Sequence, residues 1–245
     1  WGDKFFERFY KPFFDPSDGL YRGQATFCDI HFPGKCSSGY PQEWSIADCL
    51  HCKPLGTNSL YVLGMAAMAE ACEALGEIDA AADWSQQRQH LIDAITSELR
   101  REDGTLAYYK RGDGQLEERR DALGTGLAII AGVVTGDEAA TLITSYPRHW
   151  WGAPMYEPFF PFANSYHNRT SWPFVDAVFL WAEAIATGRD TAPEQAAWLA
   201  RAIHPAKGGF AEVAQPDGTP FGSGHQLWSA AGFINAALRG GWVCA

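Results

Sequence analysis

The sequence predicts an all-α fold in which helical hairpins are arranged as a toroid. Three observations carry this expectation. Apolar residues recur every three or four positions over long stretches, the stretches come in pairs interrupted by glycine, and long aromatic, Gly- and Pro-rich loops separate the pairs.

Taken in order, residues 3–14 read as a helix and residues 15–55 as the first long loop. "GTNSLYVLGMAAMAEACEALGEIDAAADWSQQRQHLIDAITSELRREDG" reads as two amphipathic helices, broken near Gly76 and closed by Asp103-Gly104. A second hairpin follows in "RRDALGTGLAIIAGVVTGDEAATLITSY", broken at Gly136-Asp137. A third spans "SWPFVDAVFLWAEAIATGRDTAPEQAAWLARAI", with its break at Gly188 and a helix start at Ala192-Pro193, where proline suits the first turn. A last helix runs from about Gln226 to Leu238. The loops at 103–120, 146–171 and 205–225 have room for short strands, as in "GTLAYYKR" and "GGFAEVAQ". Structureless connections of this length in a compact domain are usually functional, and hairpin loops of this kind are expected to meet over one mouth. A closed (α/α)6 ring needs six hairpins, whereas only about eight helices are read here. The ring is therefore expected to be incomplete, or to have its first hairpins on residues outside this sequence.

The chain has 245 residues, 47% hydrophobic and 20% charged, enough to bury a core as one domain over residues 1–245. Its formal net charge of -10, with 19 basic residues that do not cluster, argues against a nucleic-acid partner and is consistent with a neutral substrate. No apolar run of about 18 residues is present, so no membrane span is indicated. Ten Trp, nine Tyr and fifteen Phe supply flat apolar faces on which sugar rings can pack, or else simply fill a helical core. The first residue is Trp, so a leader has been removed or the true beginning lies outside the sequence. Cys49-Leu50-His51-Cys52 invites a zinc reading, but a second ligand pair at finger spacing is missing. Disulfide pairing among Cys36, Cys49 and Cys52 is the preferred expectation, with free buried thiols the alternative. Such pairing suits a periplasmic or secreted protein, which is favoured over a cytoplasmic one. The sequence leaves the oligomeric state open.

Three loop segments concentrate unusual side chains: "GLYRGQATFCD", ending at Asp29; "YHNRTSWPF", residues 166–174; and "GGFAEVAQPDG" with "GHQLWSAAG", which holds Glu212. Together they resemble the six-hairpin glycosidases, the superfamily that includes trehalase, processing α-glucosidase I and mannosylglycerate hydrolase. "YHNRTSWPF" is similar to their segment at the entry to an inner helix. "AEVAQPDG" followed by "GHQLWSAAG" is similar to their late glutamate-bearing loop, and "LYRGQATFCD" with "LGTNSLY" to an earlier aspartate-bearing loop. The resemblance implies inverting, exo-acting hydrolysis without a cofactor, on a neutral sugar such as an α-linked glucoside or mannoside. It assigns Glu212 as general base and Asp29 as general acid, with Glu43 and Asp48 as rivals for the acid.

The residues support such a pair on their own account. Inversion needs a protonated carboxyl beside the leaving oxygen and an ionised one across the ring, roughly 6.5–9.5 Å apart to admit a water. An acid flanked by Phe27 and Cys28 would hold its proton through desolvation. Arg22 and Gln24 could fix sugar hydroxyls, although Arg22 could equally pair with Asp18 or Asp29. Tyr166, His167 and Asn168 offer polar groups to a sugar or form a capping network, and Asn168-Arg169-Thr170 also matches a glycosylation sequon. Trp172, Gln226 and Trp228 are further binding candidates. Trp151 and Trp150 could form an aromatic wall, although adjacent side chains rarely face one site. Glu157 and Asp121 stand in reserve. Two other functions remain in view: a sugar 2-epimerase or isomerase in which His149, His167, His204 or His225 moves protons, and an inactive glycan-binding scaffold.

Overall fold

Buried positions Leu55, Ser59, Val62, Met65, Ala69 and Cys72 fall at intervals of three and four, which gives one face of a long helix a continuous apolar seam. In the computed structural model, which describes residues 2–26, 28, 39–161, 166–201, 203 and 208–241, this helix is one of nine α-helices among those residues. In chain order they are α1 (Gly2–Phe9), α2 (Ile46–His51), α3 (Leu55–Ala74), α4 (Ile78–Glu98), α5 (Ala122–Ile130), α6 (Gly136–Thr144), α7 (Pro173–Thr187), α8 (Ala192–Arg201) and α9 (Leu227–Arg239).

The hairpins α3–α4, α5–α6 and α7–α8 have the expected boundaries at Gly76, which turns with φ 78°, and at Gly188, which caps α7 in the left-handed conformation. Helices α3, α5, α7 and α9 pack side by side in sequence order as an inner row, with α4, α6 and α8 against it. Glycines let the inner row close. A Cβ at Gly56 would come within 3.4 Å of the Gly124 backbone, and one at Gly232 within 2.6 Å of the Ala177 Cβ. The architecture is thus all-α and toroid-like. Its four inner helices among the described residues fall short of the six that a closed ring contains.

Three details depart from the sequence reading. The first helix ends at Phe9 because Pro12 cannot continue it, and residues 11–13 form a 3-10 turn instead. The break in the second hairpin falls earlier than Gly136: α5 ends at Ile130, Gly132 turns with φ 73°, and Gly136 opens α6. Helix α2 lies within what reads as loop, and it is started by a capping box in which Ser45 and Asp48 bond each other's backbone.

The loops leave the inner row at one end and are tied by two-residue strands: β1 (Phe14–Asp15), β2 (Leu20–Tyr21), β3 (Lys53–Pro54), β4 (Tyr109–Lys110), β5 (Arg120–Asp121), β6 (Tyr156–Glu157), β7 (Val213–Ala214) and β8 (Pro220–Phe221). They pair antiparallel in sequence order, β1 with β2, β3 with β4, β5 with β6 and β7 with β8. A pattern repeats: the segment entering an inner helix pairs with the loop that follows its outer partner. Lys53 faces Lys110, Arg120 faces Glu157, and Ser171 bridges Ala214. The N-termini of α3, α5 and α7 are thereby each fastened to the next loop. Asn58 shows how completely the backbone is satisfied. Buried in α3, it accepts from the Tyr21 N–H at 2.8 Å and donates to the Tyr21 and Pro54 carbonyls.

Cys49 and Cys52 are buried free thiols, so the expected disulfide at these positions is absent; Cys36 lies outside the described residues. Both thiols sit in a tightly packed corner, where the Cys52 Sγ donates to the Gly23 and Cys49 carbonyls. Among the described residues, no cluster of three or more His, Cys, Asp and Glu is placed to hold a metal ion, and no helix is long and apolar enough to cross a membrane.

Candidate active site

Glu212 stands immediately before β7, on the hairpin that leads into α9. Its backbone N–H donates to the Ser223 carbonyl at 2.8 Å, and one carboxylate oxygen accepts from the Ser223 N–H at 3.0 Å. The other oxygen accepts from the Gln226 side-chain amide at 3.0 Å. Gln226 is itself the N-cap residue of α9, and its N–H is fixed to the Phe210 carbonyl. The carboxylate is therefore oriented by backbone on one side and by a helix start on the other, while the side chain stays half-buried.

An aromatic bank adjoins this hairpin. Tyr166 packs edge-on to Phe221 of β8, 6.0 Å between ring centres, and edge-on to Trp172 at 5.1 Å. Trp172 stacks on His167 at 4.7 Å and meets Trp228 edge-on at 6.3 Å, and Trp228 stacks on Phe174 at 4.4 Å. Pro173 at the first turn of α7 and the N-terminus of α9 set these rings side by side. Trp228 and Phe221 are exposed, whereas Trp172 and His167 are buried. Exposed aromatic rings held by such packing offer apolar surface on which a sugar ring can rest.

The sequence-selected residues divide between this site and other places. Glu212, Gln226, Tyr166, His167, Trp172 and Trp228 come together. Asn168 lies beneath them, fully buried, with its amide accepting from the Phe160 N–H and donating to the Phe160 carbonyl. This braces the loop and leaves the sequon without an accessible acceptor. Trp151 is buried and stacks on His149 at 4.7 Å, whereas the exposed Trp150 packs over Gly218 in the β7–β8 turn, so the two tryptophans do face different ways. Gln24 donates to the Cys28 carbonyl at 2.5 Å within its own loop. Arg22 lies at the α3 end of the inner row, and its guanidinium is 3.9 Å from Asp15, a partner other than Asp18.

Asp29 lies outside the described residues, as does His204. Of its rivals, Asp48 has one carboxylate oxygen engaged in the α2 capping box, and Glu43 is exposed at the rim of a cavity of about 430 Å³ also lined by Glu117, Arg119 and Phe160. Glu157 sits half-buried on β6. Asp121 caps α5 by accepting from the Gly124 N–H at 2.5 Å; burial pushes its carboxyl up to about 7, and its other oxygen has no partner.

Two acids escaped the sequence reading. Asp176, in the first turn of α7, is fully enclosed and accepts from Ser171 Oγ and from the Ala153 N–H at 2.9 Å. Desolvation outweighs these bonds and raises its carboxyl to about 8. The signal was a lone acid inside the apolar run "WPFVDAVF". Glu117 is buried, accepts from the Tyr109 hydroxyl at 3.1 Å and pairs with Arg119 at 2.5 Å. Nothing local in the sequence marks that contact.

No family profile matches the chain, and no curated protein matches it by sequence. Solved structures do. The chain is similar to a neutral trehalase of Saccharomyces cerevisiae with a TM-score of 0.74 at 14% identity, covering 97% of this chain and 56% of that one. It is similar to a sialidase with a TM-score of 0.71 at 14% identity, covering 97% of this chain and 23% of that one. A D-mannose isomerase matches with a TM-score of 0.52 at 12% identity, over 96% of this chain and 68% of that one. The chain thus spans about a quarter of the sialidase and just over half of the trehalase. These are likenesses of fold, and they place the chain among toroid-like helical proteins.

Proposed function

We propose that residues 1–245 form a catalytic domain of a glycoside hydrolase that cleaves a neutral, α-linked glucoside or mannoside with inversion and from a chain end. In this reading Glu212 takes a proton from the attacking water, and Asp29 gives one to the leaving oxygen. The observation that carries it is the Glu212 carboxylate, fixed by the Ser223 N–H and by the amide of Gln226, the N-cap of the helix whose first turn bears the exposed Trp228. A base held on two sides keeps one geometry toward a water while the sugar packs on the aromatic bank. Several of the solved structures that share the fold are named as glycosidases, which supports the reaction class.

The test is a panel of α- and β-linked disaccharides and aryl glycosides, with NMR of the anomer first released. Glu212→Gln is expected to lower cleavage by roughly 10²–10⁴-fold, the range for a general acid–base group, with the fold unchanged. Cleavage at the parent rate removes Glu212 from the mechanism. A retained anomeric configuration removes inversion.

The likeness to D-mannose isomerase, together with His167 stacked on Trp172 inside the aromatic bank, favours a second reading as a sugar 2-epimerase or isomerase. That activity would carry solvent deuterium into a free sugar without cleavage, and His167→Gln would abolish it. A protein that binds sugars yet releases none and exchanges no deuterium is a glycan-binding scaffold.

A further inference from the structure

At the α3 end of the inner row, a cavity of about 420 Å³ opens between the β1–β2 turn, α2 and the turn after β4. Arg22, Trp44, Asp48, His51, Arg111 and Asp113 line it. None of Glu212, Gln226 and Trp228 lines it, and α5 and α7 stand between the inner helices α3 and α9 that carry the two places.

The bonding inside this cavity is lopsided. Its inner wall is saturated: Lys53 bonds Asp15 at 2.8 Å and Asp18 at 2.5 Å, and Lys110 bonds Asp18 and Glu98. The rim is not. Among the described residues, the Arg111 guanidinium has no hydrogen-bond acceptor and rests 5.1 Å over the Trp44 ring, and the Arg22 guanidinium approaches only Asp15 at 3.9 Å. The Trp44 indole N–H also has no acceptor among them. Asp48 uses Oδ2 for both bonds from Ser45, and Asp113 uses Oδ1 for the Gln115 N–H, so each keeps one oxygen open. His51 has its Nδ1 against the Ala47 carbonyl.

Unclaimed donors and acceptors thus share one concave rim with the Trp44 ring, and the fixed charges nearly cancel. A phosphate or carboxylate would meet Asp15, Asp48 and Asp113 as well as the arginines. A polyol suffers no such repulsion, because every hydroxyl can accept from a guanidinium and donate to a carboxylate. We propose that this cavity is a second saccharide-binding site, which takes a neutral sugar residue through Arg22, Arg111 and the Trp44 indole as donors and Asp48 and Asp113 as acceptors. It rests on the carbohydrate-active reading only for the class of ligand; it uses neither Glu212 nor Asp29, and it moves Arg22 and Asp48, a substrate contact and a rival acid in the sequence reading, to this cavity.

The experiment follows the Trp44 indole N–H by ¹⁵N NMR, the signal being assigned by its loss in Trp44→Phe. The Glu212→Gln protein is titrated with D-glucose, D-mannose, maltose and D-glucuronate. The Trp44 signal is expected to shift with a neutral sugar, and Arg111→Gln and Asp113→Asn should each weaken that titration by roughly tenfold, the loss of one charged hydrogen bond. No shift with any neutral sugar, an unaltered titration in both variants, or a preference for glucuronate each overturns the proposal. Sugar release by the parent protein is scored separately, so a failed hydrolase reading and a failed second site give different patterns.

Discussion

Replacing Asp176 by asparagine should leave the protein almost unchanged in mild acid and stabilise it increasingly toward alkaline pH. The carboxyl is held up to about 8 by desolvation, against an ordinary value of 3.8, with the Ser171 and Ala153 bonds and Arg201 opposing and Glu194 assisting. The folded state therefore keeps a proton that the unfolded chain gives up. The stability tied to this group is full below about pH 4, falls by about 1.4 kcal/mol per pH unit as pH rises, and levels off above the folded value. At pH 7 the accumulated loss is roughly 4 kcal/mol, an upper bound because local opening relieves part of it. Asparagine copies the protonated acid: its oxygen can accept from the Ala153 N–H, and its amide can donate to Ser171 Oγ. Urea unfolding of both proteins from pH 4.5 to 8.5 gives a difference curve in which every other group cancels. A difference that stays flat with pH, or an Asp176→Asn protein destabilised equally at all pH values, would refute the reasoning.

Lys53 is buried between Asp15 and Asp18, so Lys53→Met should cost about 1–3 kcal/mol by removing a charged bond from each carboxylate while Lys110 still holds Asp18, measured by urea unfolding at pH 7. The bonds from Lys53 and Ser17 hold Asp15 below its ordinary range; burial works to raise Asp18, but its bonds to Lys53 and Lys110 prevail and lower it. Their contribution is present above about pH 4 and lost as pH falls, and Lys53→Met should flatten that acid limb. At Gly232, a Cβ would meet that of Ala177 at 2.6 Å, so Gly232→Val should cost about 1–3 kcal/mol by forcing α9 off α7, seen as a lowered urea midpoint.

Much of this molecule is legible one segment at a time. The three-and-four spacing of apolar residues, Gly76, Gly188 and Pro193 mark three hairpins and a final helix, because helix period and turn chemistry are local properties. Ser45 and Asp48 carried a readable capping signal for α2, obscured by the cysteines around it. Glu212 and Gln226 were visible together because only a hairpin separates them.

The helices, the glycines between them and the loops that bear unusual side chains can all be read from the residues in order. Which loops meet was set by packing. It set Trp228 and Phe174 on neighbouring inner helices, sent Trp151 inward and Trp150 outward, turned Asn168 into a backbone brace, and brought Arg22 to Arg111 and Trp44. Burial decided it too for Asp176, whose proton affinity depends on the Gly152–Ala153 loop closing over it. The physical reason is range: backbone preference acts across a few residues, whereas desolvation and side-chain pairing depend on atoms that only packing of the inner row brings within a few ångströms.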